Sequence, residues 1–167
     1  EKGGPPVEPI RGRSIAIYGA GNCGRKVAAL ARAHGLEVNA FVDSRAELTN
    51  CDSIPCFHPG SAEAKDLART GIPVVIAIFN YATDTRPIAR LLLEHGFERV
   101  LSYQEFHELY GQASDFWLTK RSEYQGRSSE ILGGFDLLGD NISQQIFHDC
   151  LAYRLTFDAG GGRSGGR

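Results

Sequence analysis

Ser14 to Gly19 is a compact apolar run without polar alternation, and Gly19 also opens the stretch Gly19-Ala-Gly-Asn-Cys-Gly24. A short unbroken apolar run is what a strand buried on both faces of a parallel sheet requires, because neither face meets water. Val27, Leu30, Ala31 and His34 then recur at helical spacing until Gly35 stops the pattern. Strand, glycine turn and helix in this order confine the first half of the chain to βα units.

The alternation continues. Further strands are predicted over Glu37–Val42, which ends at Asp43, over 73–79 and over 99–101, with helices over 61–69 and 84–95 between them. In the second of these helices Ile88, Leu91, Leu92 and His95 share one face. Ile54–Phe57 reads as a small edge strand, since Pro55 cannot donate to a ladder. The pattern predicts an α/β fold with a doubly wound parallel sheet. Beyond Ser102 it becomes helical: Tyr103–Tyr110, then 126–138 interrupted by Gly133-Gly134, then Asn141–Thr156 capped by Asp140 or Asn141. On the last helix Ile142, Ile146, Cys150, Tyr153 and Phe157 form one apolar stripe and Phe147, Leu151 and Leu155 another. That arc is wider than one packing face needs, so a partner surface, such as a second copy pairing through 142–157, is expected to cover part of it.

Composition narrows the class. At 167 residues and 42% hydrophobic content the chain can bury one sizeable core. A formal net charge of −2 gives no general attraction to nucleic acid or anionic lipid. No apolar run nears the ~20 residues of a membrane span, and no signal peptide opens the chain, which makes the cytoplasm the default expectation. Cysteines 23, 51, 56 and 150 form neither a CxxC pair nor a disulfide framework. Cys51, Cys56 and His58 lack a fourth zinc ligand nearby, so no metal site is assigned. The chain begins at Glu1, contains no methionine and carries Gly-rich ends, as expected of a piece of a longer product. Its organisation reads as a flexible segment over 1–12, a nucleotide-binding domain over 13–112, a helical extension over 113–157 and a Gly/Arg linker over 158–167.

Gly19, Ala20, Gly21, Asn22, Cys23 and Gly24 match G-x-G-x-x-G in the place that chemistry demands, after a buried strand and at a helix start. The first glycine permits the tight turn, the second lets a pyrophosphate approach the backbone, and the third lets helix pack on strand. A tight turn without a ligand is the competing explanation. Arg25 could neutralise a bound anion, or simply point with Lys26 into water. Asp43 ends the second strand where dinucleotide sites place an acid for the ribose hydroxyls, though it could instead cap the next turn. Ser44 and Arg45 follow it, and Arg45 leaves NAD against NADP open. Phe79, Asn80 and Tyr81 leave the third core strand on the same rim, offering an amide for ribose or base and a ring for stacking. No acid/base or nucleophile constellation can be assigned. An S-adenosylmethionine loop would carry an acid where Ile17 stands and a glycine where Cys23 stands, so the dinucleotide pattern fits better.

The segments Ile15-Ala-Ile-Tyr-Gly-Ala-Gly-Asn-Cys-Gly-Arg-Lys26, Phe41-Val-Asp43, Ile54-Pro-Cys-Phe-His-Pro59, Val74-Val-Ile-Ala-Ile-Phe-Asn80 and the helix from Ile146 to Thr156 resemble the N-terminal domain that precedes catalysis in some FkbM-type methyltransferases. The first two thirds are also similar to the nucleotide-sugar-binding domain ahead of bacterial sugar acetyltransferases. The resemblance implies a Rossmann-like sheet followed by C-terminal helices, and an accessory domain binding NAD or a nucleotide-sugar. S-adenosylmethionine would then be bound only by a fused methyltransferase domain outside this chain. A self-standing NAD-dependent oxidoreductase and a ligand-free structural or oligomerisation module remain the alternatives.

Overall fold

The computed structural model describes residues 7–45, 47–79, 83–111 and 120–156. The chain divides into two compact units, Glu8–Tyr110 and, with the first residues, Gly111–Arg167.

The first unit alternates strands and helices: β1 (Ser14–Tyr18), α1 (Asn22–Ala33), β2 (Glu37–Val42), β3 (Asn50–Cys51), β4 (Ile54–Phe57), α2 (Ala62–Arg69), β5 (Val74–Ile76), α3 (Arg86–Glu94), β6 (Val100–Ser102) and α4 (Tyr103–Tyr110). They build one six-stranded sheet in the order β3-β4-β2-β1-β5-β6. Every pairing is parallel except β3 with β4. The chain winds outward from β1 through β2 to β4, then returns to lay β5 on the other flank. This is the doubly wound, Rossmann-like α/β architecture, and its order reverses between β1 and β5.

Strand β1 earns its central place by composition. Ile15, Ala16 and Ile17 are fully buried, as are Phe41 and Val42 of β2 and Val74 and Val75 of β5. Alternate residues serve opposite faces. Ala16, Tyr18, Val42, Val74 and Ile76 join Ala68, Ile72, Leu92 and Phe97 in one core, and α1 covers β1 and β2 with Val27, Ala28 and Ala31 buried. Fully burying a side chain such as Phe41 stabilises by about 1.5 to 3 kcal/mol. No described helix is long and apolar enough to cross a membrane.

Two sequence expectations are corrected. Ile54–Phe57 is not the edge strand, because β3 lies outside it with Asn50 opposite Pro55 and Cys51 opposite Ile54. Asp52 and Ser53 join the two with φ of 52° and 65°, as a two-residue type I′ hairpin turn demands. Strand β5 also ends at Ile76, earlier than the apolar run suggested; the Ala77 N–H still donates to the Tyr18 carbonyl of β1 at 2.8 Å, and Ile78 and Phe79 lie beyond the strand.

In the second unit, α5 (Arg121–Gly126), α6 (Ser128–Asp136) and α7 (Asn141–Thr156) follow one another. The predicted break at Gly133-Gly134 is absent, since α6 runs through both glycines, and helical glycine costs only ~1 kcal/mol relative to alanine. The interruption falls at Arg127, whose N–H donates to the carbonyls of Glu123 and Tyr124. Asp140 caps α7, accepting from the Ser143 N–H at 2.8 Å. Phe147 turns inward toward Phe135, ring centroids 5.9 Å apart. Ile142 and Ile146 are exposed.

Candidate functional site

The site grows from the turn between β1 and α1. Gly19 leaves the strand at φ +98°, a conformation that glycine adopts without strain, and its N–H donates to the Val42 carbonyl at 2.8 Å. Helix α1 then folds back so closely that a Cβ on Gly24 would lie 1.9 Å from the Gly19 oxygen. Around Gly21 the space is open, with nothing within 4 Å of a Cβ built there. Close packing thus falls to the third glycine, and the space beside the second is open.

Gly21 is the N-cap of α1, and no side chain caps the helix or places an acid in its first turn. Helices α2 and α4 differ: Ser61 accepts from Ala64 N at 3.2 Å on α2, and Ser102 with Glu105 closes the start of α4, whereas α3 shares with α1 the lack of a side-chain cap and of a first-turn acid. The first amides of α1 thus keep their donors and the positive end of the helix dipole for a group outside the helix.

They face a cavity of about 480 Å³. Its floor is the β1 exit, Tyr18 and Gly19, with Gly21, Asn22 and Cys23 above; Asp43 and Ser44 form one side, and Ala77, Ile78, Phe79 and Ile88 the other. The cavity therefore occupies the crevice at the carboxyl ends of β1 and β5, where strand order reverses, the place open α/β sheets use for ligands. Phe79 is 41% exposed and stacks on Tyr103, centroids 5.3 Å apart at 28°.

Asp43 carries the electrostatics. It is buried, yet ionised: its Oδ2 accepts from Ala20 N at 2.8 Å and Arg45 Nη2 at 3.0 Å, and its Oδ1 from Arg45 N and Nε, both at 3.0 Å. The Arg45 guanidinium, aided by the main-chain N–H groups of Ala20 and Arg45 and opposed by burial, holds the carboxyl at about 2. The bond to Ala20 also ties the end of β2 to the glycine loop.

The thiols support this loop. Cys51 Sγ lies 3.6 Å from the Ala20 carbonyl, to which it donates. Burial, with the neighbouring Asp43 and Cys51 adding, pushes the Cys56 thiol up to about 11, so it stays protonated at neutral pH. Among the described residues no group of three or more His, Cys, Asp or Glu side chains is placed to hold a metal ion.

Of the residues that the sequence singled out, Gly19, Gly21, Asn22, Cys23, Asp43, Ser44 and Phe79 come together on the cavity wall. Ala20 and Gly24 shape the loop behind it. Arg25 stands off the wall, its Nε 3.5 Å from Asp52, and Arg45 holds Asp43 from outside. Asn80 and Tyr81 lie outside the described residues. Tyr18, Ala77, Ile78 and Ile88 were missed, because apolar residues of a cavity wall carry the same pattern as core.

No protein-family model matches the sequence, and neither does any curated protein. Among solved structures, the methyltransferase FkbM from Methylobacillus flagellatus KT matches over 87% of this chain with a TM-score of 0.70 and 16% identity. This chain spans 40% of that protein. RSP, a Rex-family repressor, matches over 72% of this chain and 62% of its own at 0.43 and 16% identity. Its complex with beta-NADH matches over 72% and 63% at 0.42 and 15%. The FkbM likeness is one of fold.

Proposed function

We propose that this chain binds a nucleotide diphosphate, as part of a dinucleotide such as NAD or of a nucleotide-sugar, and serves as the recognition domain of an FkbM-type methyltransferase. The observation that carries the nucleotide reading is the uncapped start of α1 opening onto a cavity whose side wall holds an ionised, buried Asp43. The amides at that helix start suit a pyrophosphate, Asp43 suits ribose hydroxyls, and exposed Phe79 suits one face of a base. The accessory role draws support from the FkbM likeness, which extends over most of this chain and less than half of that protein. Methyl transfer would belong to a separate S-adenosylmethionine domain. Exposed Ile142 and Ile146 give α7 a surface on which that domain or a second copy would pack.

Thermal denaturation with NAD, NADP, uridine diphosphate sugars and S-adenosylmethionine tests the reading. At 100 times its dissociation constant a ligand adds ~2.7 kcal/mol, and a shift of at least several degrees is expected for a dinucleotide or nucleotide-sugar. Gly21→Val should abolish the shift in a folded protein, because the side chain enters open space where the ligand would lie. No shift with any nucleotide refutes the reading.

A further inference from the structure

The Asp43 carboxylate has about four acceptor positions, two on each oxygen, and all four are taken. Two donors belong to the main chain, Ala20 N and Arg45 N, and are fixed by the glycine loop and the turn after β2. The other two belong to the Arg45 side chain, Nε on Oδ1 and Nη2 on Oδ2. A vicinal diol presents two O–H donors in the same manner, one to each oxygen. An acid saturated in this way cannot receive a ribose unless one pair of donors leaves.

Only one pair can leave without deforming the fold. The Arg45 side chain is 51% exposed, against 9% for that of Asp43, and it lies beyond the cavity wall that Asp43 helps form, so its departure would extend the cavity to the outer side of the carboxylate. Ion pairs with one partner so exposed contribute little to stability, because water replaces the lost bonds and the long side chain regains its rotamers. The main-chain donors offer no comparable exit.

We propose that the Arg45 side chain is a displaceable internal ligand of Asp43, holding the two acceptor positions that a ribose diol takes when a nucleotide binds. This rests on the nucleotide reading above and adds a residue that sets its affinity and selectivity. Arg45 lowers affinity for every ligand that engages Asp43, by the free energy of its own grip. A ligand without the diol does not engage Asp43 and is insensitive to Arg45.

The experiment is calorimetric titration of ADP and UDP, and of their 2′,3′-dideoxy counterparts, into the wild type, Arg45→Ala and Arg45→Gln. The glutamine variant keeps part of the aliphatic stem should the alanine variant fold poorly. Binding of ADP or UDP should tighten about two- to five-fold in both variants, with the dideoxy probes unchanged. Wild-type binding that weakens or stays the same on substitution overturns the role of Arg45 and leaves the nucleotide site standing. Equal tightening of the dideoxy probes overturns it as well, since the effect then bypasses the diol. Failure of every protein to bind either nucleotide refutes the site and the inference together.

Discussion

Gly24→Ala should damage this fold far more than its size suggests. The added Cβ would sit 1.9 Å from the Gly19 carbonyl oxygen, 3.1 Å from the Gly19 carbonyl carbon and 3.2 Å from Phe41 Cε1. Real Cβ atoms do not approach within 3.0 Å, so oxygen and helix must separate by at least 1.1 Å, the difference of 3.0 and 1.9. Neither can move freely: Gly19 N is bonded to Val42 O, Ala20 N to Asp43, and Phe41 is fully buried. Overpacking costs about 1 to 3 kcal/mol and each weakened hydrogen bond about 0.5 to 1.5 kcal/mol, which together give roughly 2 to 4 kcal/mol. For a unit of this size each kcal/mol moves the melting temperature by about 4 to 8 °C, so a loss of about 8 to 30 °C is expected. The control is Gly21→Ala, which meets nothing within 4 Å and has an ordinary φ of −86°; its stability should stay within about 1 kcal/mol of wild type. Differential scanning calorimetry of the three proteins decides. Equal melting of the two variants would refute the assignment of close packing to Gly24 and open approach to Gly21.

Asp43→Asn should lower stability at neutral pH but not in acid. The folded carboxyl is held at about 2 against its ordinary 3.8, so its contribution is complete above pH ~4 and fades as pH falls toward 2, amounting to roughly 1 to 2 kcal/mol after screening at exposed Arg45. Urea denaturation of both proteins across that window checks it, and a difference independent of pH contradicts it. Ser53→Gly, relieving a left-handed φ of 65°, should raise stability by about 0.5 to 1 kcal/mol in the same assay. Light scattering should find the chain self-associated through α7, and Ile142→Glu with Ile146→Glu should return it to monomer; a wild type monomeric at high concentration excludes that interface.

The parts of the fold legible in the sequence were those governed by local pattern. β2, α4 and α7 have the predicted bounds, because an apolar run or a helical stripe meets an unambiguous stop at each end. Strand β5 was read too long, since Ala77, Ile78 and Phe79 continue the apolar run yet serve a cavity wall. Hairpin β3–β4 was half seen: Pro55 advertised an edge, but the turn is made by Asp52 and Ser53, neither of which announces a positive φ as glycine would. At the site, the glycine spacing placed the loop because its chemistry is local. The partnership of Asp43 with Ala20 spans 23 positions and depends on how β2 lies against β1, which no local pattern carries.

The sheet begins at a two-residue strand and ends at a three-residue one, β3 and β6. Ser102, the last residue of β6, already accepts from Glu105 N as the cap of α4, so that strand cannot lengthen without unwinding a helix. At the other margin the type I′ turn follows Cys51 at once. An extended peptide seeking main-chain hydrogen bonds finds two or three residues of template at either side, too few to compete with its hydration. The described sheet thereby presents little free backbone to a strand that would add at either margin.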